Sequence, residues 1–152
     1  MKFNKKNINR FLFFKLPAAW WTGVRVTNLL EDTCEVSVTH KWKNQNPFRS
    51  MYFAVQSMAA ELSTGALVMN EINSSNKKIS MLVAQNNSTF LKKATGKIIF
   101  TCSEGSKIKE AIELTIKTGE GQTFWLSSQG VNKDGIVVSE FNFEWTLKVK
   151  NV

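Results

Sequence analysis

The chain has 152 residues, 43% of them hydrophobic and 21% charged, which gives room for one domain with its own core and is too apolar for a disordered chain. Two prolines and eight glycines exclude a collagen-like or low-complexity chain. Twenty basic against twelve acidic residues give a net charge of +8, which favours anionic partners (nucleic acid, a phosphorylated ligand or acidic lipid) without choosing among them.

Residues 1–15 hold Lys2, Lys5, Lys6, Arg10 and Lys15 with no acid, around the run Phe11-Leu12-Phe13-Phe14. Lys15 and Pro17 interrupt that run, so the segment reads as a short amphipathic helix over 4–15, ended near Pro17, rather than as a signal peptide. Its apolar face is expected to pack on the body; a role at a membrane surface is open to such a helix. A strand is predicted over 23–30, a turn at Glu31-Asp32, and a strand over 33–42 with Cys34, Val36, Val38, His40 and Trp42 on one face. His40 is thereby a core or edge histidine and not part of a Ser-His-Asp triad.

A polar loop over 43–49 leads to Ser50, the expected N-cap of a helix reaching about Met69, roughly 30 Å long at 1.5 Å per residue. Glu61 within this apolar stretch argues against a membrane span. Asn73 to Lys78 reads as a loop. Strands over 79–91 and 96–103 are expected to pair, with Asn86-Asn87-Ser88 breaking the first. Ile108, Ala111, Ile112 and Ile116 predict a helix over 104–118, with Lys109 and Glu113 as an i,i+4 pair and Gly119 and Gly121 after its end. A strand over 122–130, a turn at Asn132-Lys133-Asp134-Gly135 and a strand over 136–149 follow; in the last, Phe141, Phe143, Trp145, Leu147 and Val149 alternate with polar residues. The order implies an α+β domain spanning 1–152, an antiparallel sheet wrapped around one long central helix, with a short N-terminal helix and an extra helix near 104–118.

Two cysteines, Cys34 and Cys102, and one histidine are too few for a disulfide framework or a zinc site, so no metal is expected. Buried free thiols suit a reducing compartment, here the cytoplasm.

Glu61 is the only acid between Glu35 and Glu71, and its neighbours are Met58, Ala59, Ala60 and Leu62. A carboxyl in apolar surroundings resists ionisation, so its pKa rises toward the value a general base needs. The start of the same helix presents free N–H groups that can hold a developing oxyanion. Eight residues separate Phe53 from Glu61, about 12 Å along a helix. One helix therefore cannot aim both at one carbonyl, whereas two antiparallel copies in a symmetric dimer can.

The element order resembles the hot-dog fold, and Asn46-Pro-Phe-Arg-Ser-Met-Tyr-Phe-Ala-Val-Gln-Ser-Met-Ala-Ala-Glu61 is similar to the loop-and-helix signature of hot-dog acyl-CoA thioesterases of the phenylacetate-pathway type. That signature places an acid fifteen residues after an Asn, the spacing of Asn46 and Glu61. Over residues 10–149 the chain looks most like a bacterial branch of this superfamily. The resemblance implies that Glu61 activates water or attacks the thioester carbonyl. The Phe53 N–H would be the oxyanion donor and Asn46 the loop amide that orients substrate or water, with Tyr52, Ala54 and Gln56 as substrate contacts. It also implies an acyl-CoA or related thioester as ligand, a homodimer or homotetramer with Glu61 facing the partner's Phe53, and no cofactor. Tyr52, Phe53 and Ala54 stand where the signature has His-Gly-Gly, and Phe53 brings a ring to a position where glycine lets a ligand approach the backbone.

Lys41, Lys43, Arg49, Lys77, Lys78, Lys92 and Lys93 are candidate contacts for coenzyme A phosphates, against the plainer reading of a solvated basic surface. Trp42, Trp125 and Trp145 read as core or interface rather than as base-stacking groups. Three function classes follow: a thioesterase-like enzyme; a non-catalytic hot-dog module that binds an acyl ligand or serves assembly; and a basic protein binding nucleic acid or anionic membrane. The first is favoured, with no nucleic-acid partner and no transmembrane segment expected.

Overall fold

A computed structural model describes residues 3–150. Its chain order is α1 (Lys5–Lys15), α2 (Pro17–Trp21), β1 (Arg25–Leu29), β2 (Cys34–Thr39), a 3-10 turn (Trp42–Asn44), α3 (Phe53–Ser75), β3 (Ile79–Phe90), β4 (Lys97–Cys102), α4 (Gly105–Thr118), β5 (Gln122–Val131) and β6 (Val137–Val149). The six strands form one antiparallel sheet in the order β1-β2-β4-β5-β6-β3. The sheet packs around α3, whose Ala59, Ala60, Leu62, Ala66, Leu67 and Val68 are buried. This is the expected α+β arrangement, including the helix near 104–118.

The first helix begins at Asn4, whose side chain accepts the N–H groups of Lys6 and Asn7 while Asn7 returns a bond to Asn4. Ile8 and Leu12, one turn apart, point inward and are fully buried. Asn9 lies against the free edge of β1: its Nδ2 donates to the Val26 carbonyl at 2.8 Å and its Oδ1 accepts the Val26 N–H at 3.0 Å. That edge of the sheet is thus covered by α1. Pro17 does more than end α1. It opens the one-turn helix α2, where a proline's missing N–H costs nothing.

Several sequence expectations are corrected. Strands β3 and β4 do not pair: β3 lies at the sheet edge against β6, and β4 sits between β2 and β5. The linker between them spends its backbone elsewhere. Leu91 and Lys92 donate to the Val138 carbonyl, Ala94 accepts from Met51, and Gly96 accepts from His40, so it crosses the start of α3 and does not close a hairpin. Asn86-Asn87-Ser88 does not break β3, whose only irregularity against β6 falls between Val83 and Gln85. The central helix runs six residues past Met69, with the hydroxyls of Ser74 and Ser75 folded back onto the carbonyls of Asn70 and Ile72. It stops at Asn76 in the left-handed region (φ 54°).

Ser50 is not the N-cap; Tyr52 is, without a side-chain acceptor, because the Ser50 hydroxyl is bonded to Asn46. The strand expected over 33–42 ends at Thr39, and Trp42 is exposed on the 3-10 turn instead of buried in the sheet. In α4, Thr115 takes the inward position expected of Ile116 and bonds the Glu120 carbonyl, while Ile116 is exposed. The salt bridge among the described residues joins Lys107 to Glu104, not Lys109 to Glu113.

Polar pairs fasten α3 to the sheet. Ser139 donates to Gln56 Oε1 at 2.8 Å, Ser63 and Ser128 share a bond of 2.7 Å, and Trp145 Nε1 donates to Thr64 at 3.0 Å. Buried hydroxyls paired in this way avoid the desolvation cost of an unmade bond and set the position of the helix on the sheet. Cys34 and Cys102 stand opposite each other on β2 and β4, free and buried; burial raises their thiols to about 12 and about 11.

Candidate functional site

The loop before α3 is tied to itself and to its surroundings. Asn46 N–H donates to Ser50 O, Arg49 N–H to Asn46 O, Met51 N–H to Ala94 O and Tyr52 N–H to Asn44 O. The Asn46 side chain completes the loop: Oδ1 accepts the N–H groups of Phe48 (2.9 Å) and Ser50 (3.2 Å), and Nδ2 donates to Ser50 Oγ (3.0 Å). Asn46 therefore shapes the approach to the helix start, with its amide engaged by its own loop. Gln56 is buried between the same loop and β6, donating to Met51 O at 3.3 Å while it accepts from Ser139.

This loop, the first turn of α3 and the end of β3 enclose a cavity of about 530 Å³ that includes Asn46, Tyr52, Phe53, Gln56, Phe90, Lys92 and Lys93. Its wall is aromatic. The ring of Phe53 meets Tyr52 at 5.0 Å and Phe90 at 6.2 Å, and Phe90 meets the buried Phe141 at 5.6 Å. The rim is basic: Lys93 donates to Phe48 O at 3.2 Å, and Lys92 stands beside it. At the helix start the N–H groups of Phe53 and Ala54 meet no acceptor among the described residues; the next two, of Val55 and Gln56, bond Tyr52 O. Two open donors thus stand at the positive end of a 23-residue helix, and of their two residues Phe53 lines the cavity.

Glu61 lies two turns further on, outside the lining of that cavity. Its carboxylate makes no hydrogen bond or ion pair among the described residues. A Cβ built on Gly65 would stand 3.2 Å from the Trp145 ring and 3.4 Å from Glu61 Oε1, so Gly65 clears the space into which both reach. Trp145 is on β6, beside Val83 of the edge strand β3. Burial without a compensating charge pushes the Glu61 carboxyl up to about 7, while its outer edge keeps some contact with solvent.

The chain therefore gathers Asn46, Tyr52, Phe53 and Gln56 and leaves Glu61 outside the cavity, further along the same helix. Ala54, partly buried, is adjacent to the cavity but does not line it. Of the basic residues singled out in the sequence, Lys92 and Lys93 reach the cavity and Arg49 is exposed on its loop. Lys41 and Lys43 belong to the 3-10 turn, and Lys77 and Lys78 lie at the opposite end of α3. Sequence reasoning missed Gly65, Trp145 and Phe90. Gly65 had a signal of its own, because glycine inside a helix costs about 1 kcal/mol and asks for a packing reason.

The covering of α3 by one antiparallel sheet makes this a protein of the α+β hot-dog fold, the fold of solved thioesterase-like proteins. A family model described as "Domain of unknown function (DUF4442)" matches residues 4–147, and the chain belongs to that family. A Pseudomonas aeruginosa protein of unknown function, PA5026, described as a probable thioesterase, shares the fold with a TM-score of 0.84 at 21% identity, over 99% of both chains. The thioesterase HI1161 of Haemophilus influenzae has a TM-score of 0.75 at 13% identity, over 98% of this chain and 93% of that one. The Escherichia coli PaaI protein from the phenylacetic acid degradation operon has 0.65 at 13% identity, over 93% and 90%. No curated protein matches the chain in sequence.

Proposed function

We propose that this protein is an acyl-CoA thioesterase-like hydrolase, one domain per chain, working as a symmetric dimer in a reducing, cytoplasmic setting and needing no metal or cofactor. The observation that carries the reading is Glu61, an unpaired carboxyl raised to about 7 by burial on the central helix of a hot-dog fold. The Glu61 carboxylate takes a proton from water as the oxygen attacks the thioester carbonyl. The charge that develops on the carbonyl oxygen is held by the Phe53 N–H of the other subunit. The tetrahedral intermediate expels the thiolate, which recovers the proton from the Glu61 carboxyl. The aromatic wall of Tyr52, Phe53 and Phe90 receives the acyl group, and Lys92 and Lys93 meet the phosphates of coenzyme A.

The dimer is supported by the two edges of the sheet. The β1 edge is covered by Asn9. Strand β3 carries no charge and no proline over twelve residues, and on its outer side no described strand pairs with it. A long, uncharged edge is a template for pairing with a second copy.

The test is hydrolysis of an acyl-CoA panel by wild type beside Glu61→Gln, with release of free thiol followed. Loss of at least about 100-fold in the variant, in the range of a removed general base, supports the reading. Equal rates refute it. One observation favours a second reading, an acyl-binding module without turnover: Phe53 brings a ring to the cavity wall where the thioesterase signature has glycine. Calorimetric binding of long-chain acyl-CoA with no thiol released in either protein supports that alternative.

A further inference from the structure

At the β1 edge of the sheet, opposite β3, α1, α2 and the 3-10 turn build a face that the proposed chemistry does not use. Helix α1 turns Ile8 and Leu12 inward and leaves Lys6, Arg10, Phe13 and Phe14 outside. Phe13 meets Phe14 edge-on at 4.8 Å and Trp20 of α2 at 5.4 Å. Trp20 is also held by Arg25, whose guanidinium lies 3.3 Å from the ring centre and donates to the Trp20 carbonyl at 2.8 Å. The 3-10 turn extends this face. Lys43 Nζ stands 6.0 Å from the Trp21 ring, and Asn44 Nδ2 locks the turn to α2 and β2 by donating to Thr22 O and Thr39 O, each at 2.9 Å.

Three rings project from this braced platform into solvent: Phe14 is 69% exposed, Trp21 74% and Trp42 84%. Isolated apolar side chains on a surface are ordinary; several large rings together mark an interaction site. The charge around them has one sign. Residues 5–30 and 36–44, which supply the segments of the face, contain no Asp or Glu, while α1 and the turn carry Lys5, Lys6, Arg10, Lys15, Lys41 and Lys43. Glu31 and Asp32 lie at the far end of β1, where the Asp32 backbone approaches Gly105.

We propose that this face docks on an anionic lipid bilayer, with Phe14, Trp21 and Trp42 seated in the headgroup region and Lys6, Arg10 and Lys43 on the lipid phosphates. Charge complementarity names the partner: six cations and no acid meet a surface whose charge is negative. Free aromatic rings ringed by cations are the composition of a helix that lies in a membrane interface. No described helix is long and apolar enough to cross a membrane, so the contact is peripheral. The same residues fit nucleic acid less well. Trp20, the tryptophan that lines the basic groove of about 590 Å³ with Lys5, Lys6 and Arg10, already carries the Arg25 guanidinium on one ring face, so a base cannot be sandwiched there.

The 152-residue chain would be sedimented with vesicles of phosphatidylcholine alone and with one third phosphatidylglycerol, at about 50 mM and about 300 mM salt. Binding to the anionic vesicles alone, weakened by salt, is expected. Lys6→Gln with Arg10→Gln should lower partitioning about 25-fold, about fivefold per cation. Trp21→Ser with Trp42→Ser, at exposed positions that leave the circular dichroism spectrum unchanged, should lower it at least tenfold. The proposal is overturned by equal binding to both vesicles or to neither, by aromatic variants that bind like wild type, or by a short nucleic-acid duplex that strips the protein from the vesicles. None of these results depends on whether the protein hydrolyses thioesters.

Discussion

Trp145 Nε1 donates to the hydroxyl of Thr64 at 3.0 Å, and that hydroxyl donates in turn to the carbonyl of Glu61 at 2.8 Å. The indole is thereby fixed beneath the turn of α3 that carries the carboxyl, close enough to Gly65 that no larger residue fits without displacement. Burial is the cause of the raised pKa of Glu61, and Trp145 and the carboxylate both reach toward the space that Gly65 leaves open.

Trp145→Phe tests this relationship. A smaller ring without the N–H admits water beside Glu61 and lowers the cost of ionising it. The midpoint of the pH–rate profile should move from about 7 toward the ordinary carboxylate value of 4.5. Stability should fall by about 1–3 kcal/mol, the range for a lost buried hydrogen bond with some lost packing. An unmoved midpoint would show that Trp145 does not set the carboxyl's environment.

The same shift predicts how stability changes with pH. Below about 4.5 the carboxyl is protonated in the folded and the unfolded chain alike. Between 4.5 and about 7 the unfolded chain ionises while the folded one holds its proton, so stability falls as pH rises; above about 7 the full cost is present. That cost is at most about 3 kcal/mol, reduced by the solvent-facing edge of the side chain. Glu61→Gln should match wild type at pH 4 and exceed it at pH 8 in urea unfolding. A variant less stable than wild type at pH 8 would contradict the assignment of a buried, uncompensated charge.

Gly130 and Phe100 give a prediction independent of function. They are direct partners across β5 and β4, and a Cβ on Gly130 would stand 2.5 Å from a Phe100 ring carbon. Phe100 is fully buried and packs on Phe141 at 6.0 Å, so it has little room to retreat. Gly130→Ala should cost about 1–3 kcal/mol in chemical denaturation, the usual penalty of overpacking a core. Unchanged stability would mean that the Phe100 ring moves freely.

What the sequence made legible, and what it did not, divides by range. Strand β6 was readable because Phe141, Phe143, Trp145 and Leu147 alternate over its whole length, and α4 because its apolar residues repeat with a helical period. The pairing of β3 was not readable. Adjacent strands usually pair, and nothing local in residues 79–103 announces that Leu91, Lys92 and Ala94 give their backbone bonds to Val138 and Met51. The start of α3 was misplaced because the Ser50 hydroxyl has a competitor for its role, the Asn46 side chain, which only the folded loop brings near. Glu61 stood out because a lone acid among Met58, Ala59, Ala60 and Leu62 breaks the pattern. Its partner across the chain, Trp145, gave no such sign, being one more alternating residue of a regular strand.

The separation of Glu61 from the Phe53 N–H leads to the last prediction. If hydrolysis needs both groups, it needs two chains, and the uncovered β3 edge is where they would join. Leu82 and Ala84 are exposed on that strand, and lysine at either puts like charges close together when two copies of β3 pair about a twofold axis. Leu82→Lys with Ala84→Lys should turn a dimer into a monomer by light scattering, leave the circular dichroism spectrum intact, and lower acyl-CoA hydrolysis at least about 100-fold, the effect of losing an oxyanion donor. A folded monomer that retains full activity would show that Glu61 finds its oxyanion donor within its own chain. An unchanged dimer would place the contact on a surface other than β3.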